Sequence, residues 1–184
     1  MPVTKKVQEL VDAISSYRQE LLDEVSALSE TQLDYKPDDG DWSISDILHH
    51  LSLTDEANLK LTFRALRHAE ERNLPEDPTP DETALDGLAP FAEPLRNRVQ
   101  APGFVAPQSH LPARESIAKL KVSREKMIES IERLGRYDLS QLKYAHPLLG
   151  ELNMYQWILI AGGHERRHTA QIGRIKAAAG FPNN

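Results

Sequence analysis

The sequence predicts an all-α fold, a four-helix bundle with a long proline-rich crossover between its second and third helices. Two observations carry this prediction. Four long segments repeat apolar residues at steps of three and four, and eight of the twelve prolines fall within residues 74–112. The apolar spacing is typical of helices that bury one face. A long connection is typical of bundles whose consecutive helices are not joined by a tight hairpin.

The predicted helices span residues 3–28, 43–73, 112–135 and 153–179, with a loop at 136–152. Ser43 and Asp46 have the spacing of a capping box at the start of the second helix. Pro112 suits the first turn of the third helix, and Gly135 suits its C-cap. We find no strong strand pattern, and we expect one domain over residues 1–184.

The crossover at residues 74–112 is rich in acids as well as prolines. From Pro75 to Pro94 there are six acidic residues and no basic one. Prolines at this density exclude a regular helix. We expect at most one short helical turn, near residues 83–88.

Composition excludes several classes of protein. The chain has no cysteine, which excludes disulfides, cysteine-ligated metals and a cysteine nucleophile. Its net charge of −6 argues against nucleic acid as a partner. The N-terminal segment lacks a signal-peptide core, and no apolar run is long enough for a membrane span. We therefore expect a cytoplasmic protein.

Two histidines in the fourth helix form the sharpest local motif. His164 and His168 are four residues apart, so both imidazoles project from one helical face and can reach one cation. They lie on the apolar stripe of that helix, where unpaired imidazoles are costly to bury. The alternative is a pair of core histidines satisfied by carboxylates or main-chain carbonyls.

The same segment, with Glu165, matches the His-Glu-x-x-His motif of zinc proteases. That class needs a third ligand, and the sixteen residues after His168 contain no Asp, Glu or His. A sheet beside the helix would also be expected. Both points disfavour a protease. A third ligand must come from upstream, where helical angles place His50 near the apolar stripe of the second helix and His49 towards solvent.

The second and fourth helices resemble a known family. Its signatures are matched by Trp42-Ser43-Ile44-x-x-Ile47-Leu48-x-His50-Leu51 and by His146-Pro147-Leu148-Leu149-Gly150, which precedes Tyr155-Gln156-Trp157 and His164-x-x-x-His168-x-x-Gln171-Ile172. The chain resembles the DinB/YfiT-like metalloenzyme superfamily. The resemblance implies a four-helix bundle, a homodimer, and a divalent metal, commonly Ni²⁺ or Zn²⁺, on His50, His164 and His168.

The resemblance also implies chemistry, as a hydrolase or as a transferase using a low-molecular-weight thiol, acting on a small-molecule substrate. Without cysteine, any such thiol must be an external co-substrate. Four residues are candidates for supporting roles: Glu165 as a catalytic group that orients water, and Gln171, Asp46 and Trp42 as residues that contact ligands or substrate. Capping is the competing role for Asp46, and a core position for Trp42. The alternative function is a non-enzymatic dimeric binding module with a structural metal or none.

Overall fold

The computed structural model describes residues 3–83 and 101–183. It confirms the four-helix bundle. The helices are α1 (Lys5–Val25), α2 (Glu30–Leu33), α3 (Ile44–Glu71), α4 (Ala113–Leu134) and α5 (Met154–Lys176). The predicted helical turn near residues 83–88 falls almost wholly outside the described residues.

The helix boundaries follow the capping residues. Ser43 and Asp46 form the predicted capping box, and Gly135 is the predicted C-cap of α4. Pro112 is the N-cap of α4 rather than a residue of its first turn. The first helix ends three residues earlier than predicted, at Val25, and the one-turn helix α2 follows it. A capping box of Ser29 and Gln32 starts α2, and this Ser-x-x-Gln pattern was the signal that could have revealed it.

The prediction of a plain loop at residues 136–152 was wrong. A 3₁₀ turn (Leu139–Gln141) is followed by an antiparallel hairpin of β1 (Lys143–His146) and β2 (Gly150–Asn153). Each strand has only four residues, too few for a clear alternation. Gly150 has a φ of +77°, which glycine adopts at little cost, so the chain can turn sharply after Pro147.

The direction of the helices explains the long crossover. Asp55 and Glu70 of α3 bond to Ser123 and Arg133 of α4, so these neighbouring helices run parallel. A chain leaving the end of α3 must travel back along the bundle before α4 can begin. Because α3 has 28 residues, that return is about 40 Å long.

The interior consists of two apolar regions separated by a charged layer. One region contains Leu10 and Ile14 of α1 with the start of α5, and the other contains Leu21 with the start of α3. Between them lie four buried charged side chains, one from each long helix: Arg18, Asp55, Arg124 and Glu165.

The described ends of the crossover are held against the bundle. Near its start, buried Asp77 accepts hydrogen bonds from Tyr155 (2.7 Å) and Lys6 (3.2 Å). Near its end, buried Val105 lies against α3 through His50. Both contacts fix the crossover to helices that contribute to the functional site. In the described part of the chain, no helix combines the length and apolar character needed to cross a membrane.

Candidate metal centre

Three histidines from two helices converge at one point. His50 comes from the first half of α3, and His164 and His168 lie one turn apart on α5. The Nε2 atoms of His50 and His168 each lie 3.2 Å from Nε2 of His164. All three ligand atoms lie within 4.8 Å of one another. The structure therefore brings together the three residues that the sequence predicted as ligands.

The other ring nitrogen of two of these histidines is held by an acceptor. Nδ1 of His50 lies 2.8 Å from the main-chain oxygen of Val105, and Nδ1 of His168 lies 2.9 Å from Oε1 of Gln171. A carbonyl oxygen only accepts, so each Nδ1 must carry the proton. The Nε2 atoms of both neutral rings are then bare and directed at His164.

This donor set fits a divalent metal. The bare Nε2 atoms of His50 and His168 both face Nε2 of His164. Nε2 of His164 can donate at most one proton, so one of the two bare atoms is left without a hydrogen bond. A cation among them satisfies all three lone pairs. Tetrahedral zinc bound at about 2.0–2.1 Å would place its nitrogen ligands about 3.3 Å apart, close to the two separations of 3.2 Å from His164 to its neighbours. Acceptors on the outer nitrogens are also typical of metal-binding histidines.

Burial keeps the three imidazoles neutral. The pKa of His164 falls to about 3, mainly because the ring is buried and then because His50 and Arg167 are near. The pKa of His168 falls to about 2, again mainly because of burial and then because of its two neighbours. Burial also lowers the pKa of His50, although the hydrogen bond to Val105 opposes this. Neutral imidazole is the form that binds metals.

One aromatic ring packs against the site, and a second ring pair joins the hairpin to α5. The indole of Trp42 lies 5.0 Å from the His50 ring and 6.4 Å from the His168 ring, measured between centroids. The ring of His146 lies 4.8 Å from that of Trp157. His50 and His168 are buried, whereas His164 is only partly buried. The site is therefore most accessible at His164.

Glu165 follows a predicted ligand but belongs to the charged layer. Its carboxylate accepts from Nε of Arg18, and Arg124 donates to it at 2.8 Å. Arg18 also donates to Asp55 at 2.7 Å and to the main-chain oxygen of Leu120. Both oxygens of Glu165 are thus engaged by arginines.

The remaining predicted residues fall in different places. Gln171 bonds a predicted ligand directly, through His168. Asp46 caps α3 and pairs with Lys36 at 2.9 Å. The prediction that His49 faces solvent was wrong, since it is only 9% exposed. The helical angles assumed one buried face, whereas α3 packs against both α4 and α5.

The comparison with protein families identifies the chain's relatives. The family model of the DinB superfamily matches residues 13–172. The chain belongs to the DinB superfamily. Its solved structural relatives include TT2238, a four-helix bundle protein, with a TM-score of 0.62 and 18% identity, covering 91% of this chain and 98% of that one. A second is YfiT from Bacillus subtilis, with a TM-score of 0.58 and 14% identity, covering 98% of this chain and 91% of that one.

Sequence relatives cover most of this DinB-superfamily chain. The uncharacterized protein YuaE of Bacillus subtilis (strain 168) is 30% identical over 160 residues, which are 86% of this chain and 92% of YuaE. "Putative metal-dependent hydrolase OB0413" of Oceanobacillus iheyensis is 24% identical over 169 residues, which are 90% of this chain and 83% of that protein. YfiT is described as a probable metal-dependent hydrolase with an unusual four-helix bundle topology.

Proposed function

We propose that this chain is a metal-dependent enzyme that binds one divalent ion on His50, His164 and His168 and hydrolyses a small molecule. The observation that carries the proposal is the pair of protonated Nδ1 atoms on His50 and His168, which leaves two bare Nε2 atoms directed at His164. When bound, the ion would act as a Lewis acid and lower the pKa of a water molecule that it binds.

The site is suited to catalysis because three protein ligands would leave a coordination position of the ion open for water or substrate. In residues 3–83 and 101–183, no fourth His, Asp or Glu joins the three histidines. Three protein ligands are typical of catalytic zinc sites, whereas structural sites are closed by a fourth. This arrangement favours the enzyme over a binding module with a structural metal.

The residues around the site have separate roles in this proposal. Gln171 and the Val105 carbonyl orient two ligands, and the Trp42 indole packs against the rings of His50 and His168. Glu165 holds the helices together through Arg18 and Arg124, and its catalytic role stays a prediction that the proposal does not need. A small depression between α3, α4 and α5 is bordered by Asn58, Met127 and Trp157, and none of the three histidines lines it.

Several finer points stay predictions. The names of the relatives favour hydrolysis, and transfer to a low-molecular-weight thiol is the second candidate. The absence of cysteine from the sequence means that such a thiol must be added to any assay. Zn²⁺ and Ni²⁺ are the proposed ions. A single domain, a homodimer and a cytoplasmic location are also proposals.

Elemental analysis of the purified, tag-free protein tests the metal site. We expect one divalent ion per chain, and we expect its loss in His50→Ala and His168→Ala while the helical circular dichroism signal is kept. The matched control is His110→Ala, because His110 is exposed and outside the cluster, and it should retain the ion. Hydrolysis of p-nitrophenyl esters and conjugation of added thiols would then be assayed with the loaded protein.

Native protein that takes up neither Zn²⁺ nor Ni²⁺ would refute the proposal. The three histidines would then be core residues. Loss of the ion from the His110→Ala control as well would show that the variants act through folding, and would also contradict the assigned site.

A further inference from the structure

A fourth histidine lies on the hairpin beside the metal centre. His146 is the last residue of β1, and its ring packs against the indole of Trp157. Nε1 of Trp157 donates to the main-chain oxygen of Tyr144 at 3.2 Å, which fastens the strand to α5. Trp157 precedes His164 by seven residues, which is two helical turns, so both lie on the same side of α5. The hairpin thus packs His146 on the side of α5 that also carries His164, two turns before it.

The protonation of His146 is set by the hairpin turn. The main-chain N–H of Leu148 donates to Nδ1 of His146 at 3.1 Å, so Nδ1 must be bare. In the neutral imidazole the proton is then on Nε2, which becomes a donor. Burial lowers the pKa of His146, which keeps the ring neutral near pH 7. The Leu148 contact gives His146 a role in the turn and leaves its Nε2 available for a second one.

His146 lies near the metal ligands without being one of them. Its nitrogens are not among the ligand atoms that cluster within 4.8 Å. A positive charge on His146 nevertheless acts on His164 electrostatically and lowers its pKa. Both side chains are partly exposed, whereas His50 and His168 are buried. His146 is therefore a partly exposed group that acts on the least buried of the three histidines.

The charges around the centre favour an anionic occupant. Arg167 acts electrostatically on all three histidines of the site and lowers the pKa of each. A bound divalent ion would add further positive charge. A positive potential at an accessible site attracts anions and stabilises negative charge that develops on a substrate.

We infer that His146 is a substrate-binding residue that donates a hydrogen bond from Nε2 to an anionic oxygen of the molecule bound at the three histidines. The substrate class is then a small molecule with a carboxylate, or with a carbonyl that becomes negatively charged during hydrolysis. This inference rests on the proposed metal site. It assigns His146 a function in addition to its turn role.

Two substitutions separate the two functions of His146. In His146→Asn, the side-chain oxygen can accept from Leu148, but no donor remains at the Nε2 position. In His146→Gln, the amide N–H reaches about as far as Nε2, but the acceptor for Leu148 is lost. The probe is azide, titrated into the full-length Co²⁺-loaded protein and followed by its visible absorption. Cobalt content is measured in each variant.

If the inference is correct, azide binds about tenfold or more weakly to His146→Asn, whereas His146→Gln retains most of the affinity, at equal cobalt content. The reverse order, with weak binding only in His146→Gln, would show that only the turn matters and would overturn it. Equal affinities in all three proteins, or no uptake of azide by the cobalt-loaded parent, would also overturn it. A parent that binds no cobalt would instead refute the metal site itself.

Discussion

Oε1 of Gln171 lies 2.9 Å from Nδ1 of His168, one turn along the same helix. We predict that Gln171→Leu lowers metal affinity by about 10- to 100-fold, because the imidazole loses the acceptor that sets its proton and orientation. Gln171→Glu keeps an acceptor there and should bind at least as tightly as the parent. Competition with a chelator measures both constants. Unchanged affinity in Gln171→Leu would contradict the prediction.

We predict that the charged layer contributes strongly to the free energy of unfolding. Arg18 is 5% exposed and bonds both Asp55 and Glu165. Arg18→Met leaves two buried carboxylates short of a partner, so we expect a loss of about 3–5 kcal/mol in the free energy of unfolding. Urea denaturation measures this.

An exposed pair provides the control for Arg18. Lys60 pairs with Glu56 at 2.8 Å within α3, and both side chains are mostly exposed. Lys60→Met should change the free energy of unfolding by no more than about 1 kcal/mol. Comparable losses in both variants would show that burial of the charged layer is not what makes Arg18 important.

Two glycines of α5 form a matched pair. A Cβ on Gly162 would lie 2.7 Å from Cδ2 of Tyr17 and 3.0 Å from Cγ2 of Ile14, whereas a Cβ on Gly173 would meet nothing within 4 Å. We expect Gly162→Ala to lower the free energy of unfolding by about 1–3 kcal/mol through overpacking. Gly173→Ala should raise the free energy of unfolding by up to about 1 kcal/mol, because alanine has a higher helix propensity than glycine. Thermal unfolding compares them, and a stabilised Gly162→Ala would contradict the close approach of α1.

The metal-free protein should lose stability on acidification. An unfolded histidine titrates near 6.5, whereas His164 has a pKa of about 3 in the folded chain, so the unfolded state binds more protons between these values. The pKa of His168 is shifted in the same direction. His164 and His168 should therefore each lower the free energy of unfolding by about 1.4 kcal/mol per pH unit as the pH falls below 6.5.

Urea denaturation of chelator-treated protein at pH 7.5 and pH 5.5 tests this pH dependence. His164→Gln should reduce the loss, because glutamine takes up no proton in either state. A loss of equal size in the parent and the variant would assign the acid sensitivity to other groups.

Local patterns were enough to predict the four long helices and two of the three proposed ligands. The spacing of His164 and His168 is a property of any α-helix, so it needs no knowledge of the fold. Ser43 and Asp46 bond within one turn, and their capping box was predicted for the same reason. The hairpin was missed because its four-residue strands are stabilised by their contacts with α5 rather than by their own pattern.

The sequence by itself determined the four long helices, the apolar stripe of each, and the pair of histidines on α5 that can share a cation. Only the tertiary structure decided what Glu165 contacts, because its partner Arg18 is 147 residues away on another helix. It also decided that His49 is buried and that the Val105 carbonyl orients His50. Helical periodicity gives the angle at which a side chain leaves its own helix. Which neighbour meets that side chain depends on how the helices pack, and residues distant in the chain determine that packing.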